Sequence, residues 1–179
     1  MATEITVDPV LTPSMRRDIV YLWVLATNAG GSVGFLPPTT AAVVRPVANH
    51  MFRQCTAGAQ HLLVAREGDH LQGWVVLETN AMPIVRHWAW FKRLMVLPSL
   101  QGRGVGRRLY AAAVEYARRL DLEQLYLTCR SGTGLSEFYS RLGWEEVGVM
   151  PSNLRMIDGS YRDEIYMRLV LTRADTING

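Results

Sequence analysis

Apolar residues at Met15, Ile19, Leu22, Trp23 and Ala26 recur at helical spacing and predict a helix over Pro13 to Ala26, with Thr12 or Ser14 able to cap it. A second helix is expected from Ala41 to Gln54, ending before Gly58. The period then shortens. His61 to Arg66 and Leu71 to Glu78 are apolar runs of strand length joined by Glu67-Gly68-Asp69-His70, which reads as a β-hairpin. Val85 to Leu97 alternates as one long strand closed by Pro98, which cannot donate to a ladder. On that strand Trp88 and Trp90 would share a face with Lys92 and Leu94. Gln101 to Gly106 is a glycine loop. Arg107 to Leu120 follows as a helix with Leu109, Ala112, Ala113, Tyr116 and Ala117 along one side, and Gln124 to Cys129 as a further strand. A short helix from Gly134 to Leu142, stopped by Gly143 in a left-handed cap, precedes strands at Trp144 to Val149 and Glu164 to Leu171, with a loop around Asp158-Gly159. This order predicts an α/β (α+β) fold, a mixed central sheet with helices layered on it.

Length and composition narrow the class. The 179 residues suit a single domain, 1–179, with helices and a Gly/Pro-rich loop in 1–60, the sheet and the glycine loop in 61–130, and the remaining helix and strands in 131–179. Apolar residues make up 49% and charged residues 20%, the balance of an ordinary globular protein. A net charge of +3, with no basic patch interleaved with aromatics, argues against nucleic acid. Cys55 and Cys129 form neither a CxxC pair nor a disulfide framework. His50, His61, His70 and His87 lack ligand spacing, so no metal is expected. The N-terminus lacks a secretory pattern, and the apolar run Ile19 to Ala26 is far shorter than the ~20 residues that span a bilayer. A cytoplasmic protein without a membrane partner is the expectation.

The chemistry concentrates in Leu94 to Arg108, LMVLPSLQGRGVGRR, where a strand runs through a glycine loop into a helix. Gly102, Gly104 and Gly106 let the backbone approach a ligand closely. The first N–H groups of the following helix are unpaired, and its dipole favours an anion there. Arg103, Arg107 and Arg108 add positive charge. A Walker loop would need Gly-Lys-Ser/Thr, and a dinucleotide GxGxxG would need glycine where Arg107 stands.

Gln101-Gly102-Arg103-Gly104-Val105-Gly106 does match the Q/R-x-x-G-x-G/A signature, and with LMVLP before it and an amphipathic helix after it the chain resembles the GNAT superfamily of N-acetyltransferases. Gly134 to Trp144, GLSEFYSRLGW, is similar to the family's later helix and turn. Gly30 to Phe35 and MVLPS resemble the branch that includes the tabtoxin-resistance acetyltransferase. The resemblance implies a mostly antiparallel sheet with helices on both faces and a splayed pair of central strands. It implies acetyl-CoA as co-substrate, with Leu94, Met95 and Val96 presenting backbone groups to the pantetheine arm and Gln101, Gly102, Arg103, Gly104, Val105, Gly106 and Arg107 holding the pyrophosphate. The thioester would then lie at the open point between the Val85 to Leu97 and Gln124 to Cys129 strands.

Acetyl transfer needs a neutral amine, a polarised carbonyl and a proton for the departing thiolate. A backbone N–H near Val96 is a candidate for the second role. Tyr139 matches the family's thiolate-protonating tyrosine. Many relatives carry a base glutamate four residues before the position of Leu94, and here that position is Trp90. The candidates that remain are His87, Glu78 and a relayed water. Trp88 and Trp90 either line the acceptor cleft or pack as core. The Asn28 to Thr40 loop suits a mobile wall of that cleft or a plain surface loop. The reading is an acetyl-CoA-dependent N-acetyltransferase acting on the amine of a small molecule or amino-acid-like metabolite, with a homodimer as a possible assembly. A protein N-terminal or lysine acetyltransferase and a non-catalytic acyl-CoA sensor are the alternatives.

Overall fold

The computed structural model describes residues 3–171. Its elements run β1 (Glu4–Val7), α1 (Pro13–Asn28), α2 (Ala41–Thr56), β2 (Gln60–Glu67), β3 (His70–Thr79), β4 (Trp88–Val96), a 3₁₀ turn at Pro98–Leu100, α3 (Val105–Arg119), β5 (Gln124–Arg130), α4 (Leu135–Ser140), β6 (Glu145–Arg155) and β7 (Tyr161–Val170). The strands form one sheet in the order β1-β2-β3-β4-β5-β7-β6. It is mostly antiparallel, and its parallel pair is β4–β5, laddered from Trp88↔Gln124 to Trp90↔Tyr126. No helix among the described residues is long and apolar enough to cross a membrane.

The described chain groups into two compact units. One comprises residues up to Thr79 together with Phe91–Ala113; the other comprises Asn80–Trp90 and the residues from Val114 onward. In the first, α1 starts where Thr12 accepts the Met15 N–H at 3.2 Å, which satisfies one of the orphan donors of the first turn. Its apolar stripe places Ile19, Leu22, Trp23 and Ala26 against Val44, Ala48, Met51 and Phe52 of α2 and against Leu62, Val64, Trp74 and Val76 of the β2–β3 hairpin. Trp23 and Trp74 meet edge to face, 5.2 Å between centroids, and both are fully buried. On the opposite face of β3, Gly73 looks toward Leu109 of α3. Helices therefore cover both faces of this part of the sheet.

β4 departs from the sequence reading twice. Val85, Arg86 and His87 form a turn, and the strand begins at Trp88. Alternation in the sequence marks this stretch as strand-like, but its first laddered residue is Trp88. The second departure is a phase break. Arg93 sits at φ +59°, a left-handed conformation in mid-strand. Residues 91 and 95 of a regular strand share a face. Here Phe91 packs on Tyr110 of α3, whereas Met95 joins the core under α1 and α2. Lys92 and Arg93 both turn toward the α1–α2 side, so Leu94 does not continue the face of Trp88, Trp90 and Lys92.

In the second unit β5 and β7 pair from Gln124↔Val170 to Arg130↔Glu164, with Leu125, Leu127, Cys129 and Met167 buried. β6 and β7 are longer than their apolar patterns. The ladder continues past a register shift between Met150 and Leu154, where Ser152 adopts φ +53° and its N–H donates to Asp163 at 2.8 Å. β1, four residues long, is recognisable only through its pairing with β2 and through Asp8, which accepts the Leu62 N–H at 2.9 Å.

A Cβ added at Gly73 would meet the Met95 carbonyl oxygen at 2.7 Å and Leu109 Cδ1 at 3.0 Å. Gly73→Ala is therefore expected to destabilise the fold by about 1–3 kcal/mol through overpacking. Urea denaturation checks this, and an unchanged midpoint would mean that the β3–β4 contact yields freely.

Candidate active site

The glycine loop takes the shape its sequence calls for. Gly102 and Gly104 adopt φ +77° and +83°, where a Cβ would strain the backbone. Val105 is buried and anchors the start of α3, and Gly106 lies against the end of β4, its ideal Cβ position 3.5 Å from Val96 Cγ2. The first backbone bond entering α3 is Arg108 N–H to Gly104 C=O at 3.1 Å. The N–H groups of Gly104, Val105, Gly106 and Arg107 have no acceptor among the described residues. No acidic side chain occupies the first turn, and Arg103, Arg107 and Arg108 are exposed around it. Four unpaired backbone donors, three exposed guanidiniums and a helix dipole together favour an anion at this loop. Leu94, Met95 and Val96 lie in the same unit, at the end of β4 from which this loop departs. Because the ladder to β5 ends at Trp90, their backbone has no strand partner on that edge among the described residues.

Beside the phase break lies a polar cluster. Lys92 Nζ donates to Glu78 Oε1 at 2.8 Å, and Gln60 Nε2 donates to the other carboxylate oxygen. Burial works to raise the Glu78 pKa, but the hydrogen bonds and charge of Lys92, with Gln60 and Arg93, outweigh it and hold the carboxyl below its ordinary value of 4.5. With its lone pairs engaged and its basicity lowered, Glu78 is poorly suited to take a proton from an ammonium. The Arg93 guanidinium lies 5.1 Å from the Trp23 ring centroid, largely desolvated, which lowers its pKa against the attraction of Glu78. Trp23 is itself held by its Nε1–H, which donates to Val33 C=O at 2.8 Å. That bond, Phe35 edge-on to Trp23 at 5.4 Å, and the reciprocal pair between Asn28 and Thr39 (3.0 and 2.8 Å) tie the 28–40 loop to α1. Three separate ties in this span count against a mobile loop.

In the second unit, Trp88, Trp90 and Tyr126 come together with Tyr166, Val147 and Gly148 around a cavity of about 350 Å³. The rings stand steeply to one another. Trp88 and Trp90 meet at 86° and 5.4 Å, Trp88 and Tyr126 at 67° and 5.0 Å, and Trp90 and Tyr166 at 64° and 6.3 Å. Trp90, at the position of the expected glutamate, is thus a wall of an aromatic cavity. The sequence offered the two tryptophans but not their partners, because Tyr126 and Tyr166 arrive from other strands. His87 lies in the turn before β4, where its C=O accepts the Glu123 N–H at 2.7 Å, and not on the strand as expected. Tyr139 is buried in α4, its ring 5.7 Å from Trp144 and 5.2 Å from Phe138.

Both cysteines are free thiols. Burial, with Asp8 adding to it, pushes the Cys55 pKa up to about 11; burial, with Glu137, Glu146 and Glu164, does the same to Cys129. Neither is a thiolate at neutral pH, which removes the simplest covalent nucleophile. Among the described residues no group of three or more His, Cys, Asp or Glu is placed to hold a metal ion.

Lys92→Met tests the polar cluster. A carboxyl whose folded pKa is depressed stabilises the fold above its unfolded pKa, and that contribution fades as pH falls through the folded value. The stability gap between wild type and Lys92→Met should therefore be constant above about pH 5 and shrink below the ordinary value of 4.5. Urea titrations from pH 3 to 7 read this out, and a gap that is flat across the range would show that Glu78 is not held ionised by Lys92.

Residues 35–144 match the model of the acetyltransferase (GNAT) family. An uncharacterised N-acetyltransferase of Methanocaldococcus jannaschii is 32% identical over 111 residues, 53% of this chain and 47% of its own length, so the match spans about half of that relative. Three solved structures share the fold. A ribosomal-protein-alanine N-acetyltransferase of Brucella melitensis has a TM-score of 0.75 at 18% identity, covering 96% of this chain and 100% of that one. The yncA protein of Salmonella typhimurium, held with its cofactor acetyl-CoA, has 0.75 at 19%, covering 98% and 97%. An N-acetyltransferase of Staphylococcus aureus has 0.78 at 13%, covering 96% and 100%. With the family model spanning more than half of its length and the glycine loop lying inside the match, this chain belongs to the GNAT acetyltransferase family.

Proposed function

We propose that this chain is an acetyl-CoA-dependent N-acetyltransferase that acetylates the amine of a small molecule. The observation that carries the reading is the glycine loop, with left-handed Gly102 and Gly104 and backbone donors at the start of α3 that meet no protein acceptor among the described residues. This donor set fits the diphosphate of a coenzyme A, and the arginines around it supply further charge. Acetyl-CoA, when bound, supplies the acetyl group as an activated thioester.

The remaining roles fall to the chain. The edge of Leu94, Met95 and Val96 would pair with the pantetheine arm as an added strand does, and a backbone N–H there would donate to the carbonyl oxygen. Tyr139 would hold the proton that the leaving thiolate takes up. With both cysteines protonated at neutral pH, direct attack by the amine is favoured over a thioester on the enzyme. Trp90 leaves no carboxylate at the usual base position and Glu78 is engaged by Lys92, so the acceptor would react from its neutral amine fraction.

Two substitutions test this. Gly104→Val puts a β-branched residue at φ +83° and should abolish acetyl-CoA affinity; the backbone strain costs about 1–3 kcal/mol, so the melting temperature falls by several degrees, but the fold is kept because no core contact is touched. Calorimetric titration of acetyl-CoA decides it, and unchanged affinity rejects the loop assignment. Tyr139→Phe should keep acetyl-CoA affinity and lower kcat by roughly ten- to a thousandfold, the span expected of a general acid. A wild-type kcat would return Tyr139 to packing α4 against Trp144.

A further inference from the structure

Arg93 carries a positive charge that the fold leaves without a partner. Its guanidinium lies over the Trp23 ring, 5.1 Å from the centroid, and is largely desolvated. It makes no hydrogen bond and no ion pair with a described residue, yet none of its nitrogens is sealed from solvent. A planar fork of donors with one face on an indole and an open edge suits a planar acceptor, and a carboxylate can take two parallel N–H bonds from it. Desolvation strengthens such a bond relative to one at a fully wet surface.

The charges around Arg93 do not cancel it. Glu78 is the charged group that acts on the guanidinium, but it lies outside ion-pair distance and is committed elsewhere: Lys92 donates to one carboxylate oxygen at 2.8 Å and Gln60 to the other. One carboxylate thus faces two cations. From Ile19 to Val44, the stretch that supplies Trp23, the loop tied to it and the first turn of α2, no residue is charged. In β3, from Leu71 to Thr79, Glu78 is the sole charged residue. The ladder between β4 and β5 ends at Trp90, so among the described residues no β5 side chain stands opposite Arg93. One positive charge is left over. It sits in the same unit as the glycine loop, and Arg93 immediately precedes Leu94, where the edge given above to the pantetheine arm begins.

We propose that Arg93 is the carboxylate-binding residue of the acceptor site, and that the acceptor is an amino acid or a similar amine bearing a carboxylate, which Arg93 holds through its fork while Lys92 adds charge. This rests on the acetyltransferase reading above and narrows its small amines to those with a carboxylate.

The test sets the common L-amino acids against their own amides on the full chain. Turnover is followed at saturating acetyl-CoA, and binding of each compound is measured by calorimetry without it. At about pH 7.5 the α-amine of an amide, with a pKa of ~8, is more neutral than that of the free acid, so without a carboxylate site each amide would react faster. For the best amino acid, kcat/KM is expected instead to exceed that of its amide by roughly ten- to a hundredfold, the worth of a charge-assisted hydrogen-bonded pair. Arg93→Gln should reverse this order, with the loss appearing in KM for the acids rather than in kcat. Lys92→Met leaves Arg93 on Trp23 but brings the cluster to zero charge, and should cut the preference for the acids several-fold; it keeps the test open if Arg93→Gln does not fold. Amides that match or outpace their acids on the wild type, or a preference for acids that Arg93→Gln leaves in place, overturn the inference, while the acetyl transfer seen leaves the acetyltransferase reading standing. Amino acids that bind the wild type and not Arg93→Gln, with no acetyl transfer to any amine, uphold the carboxylate site and sink the acetyltransferase reading. Failure of every amino acid to bind overturns the inference whatever the turnover.

Discussion

The left-handed turn of one residue, Arg93, sets the phase of β4. A non-glycine residue there costs about 1–2 kcal/mol. The guanidinium stacked on Trp23 returns up to ~2 kcal/mol when desolvated, and Glu78 attracts it as well. The larger gain is in packing. With the phase shifted, Phe91 meets Tyr110 of α3 while Met95 fills the core beneath α1 and α2, and losing a buried methionine side chain costs about 2–5 kcal/mol. An unbroken strand would send both residues to the same layer. The strain at Arg93 is therefore a condition of covering both faces of the sheet, and it also sets how Leu94, Met95 and Val96 present their backbone.

The two units present different chemistry. The first unit offers a polar device made mostly of backbone, the loop from Gln101 to Arg107, whose charge comes from a helix start and arginines. Backbone donors suit a diphosphate because they are fixed in place when the ligand arrives and lose no rotamer entropy. The second unit offers side-chain surface with no charge in its lining, where the four rings are held by strand register.

Electrostatics narrows the chemistry further. Burial holds Cys55 and Cys129 protonated, and Lys92 occupies the Glu78 carboxylate of the neighbouring strand. In the proposed mechanism the remaining roles fall to orientation, backbone donors and the Tyr139 hydroxyl. That is a workable set for aminolysis of an activated thioester, where the nucleophile is already competent once neutral.

By itself the sequence determined what local geometry determines. Thr12 ahead of an apolar stripe specifies the start of α1, Gly68 specifies the β2–β3 turn, and Gly102 and Gly104 specify a loop that only left-handed residues can form, from which the family was legible. Four-residue β1 escaped notice because its signal lies in pairing with β2, and β6 ran past its apolar pattern because the Ser152 bulge and β7 carry the ladder onward. The placement of His87 in a turn, the engagement of Glu78 by Lys92 and the slip that moves Leu94 off the face of Trp90 all depend on cross-strand neighbours distant in sequence. The aromatic cavity is the clearest instance: Trp88 and Trp90 stand two residues apart in the sequence, but a tyrosine from β5 and another from β7 complete the walls. Strand order and register bring those rings together, and no periodicity within one segment encodes either, because the energy that selects a register is earned only between segments.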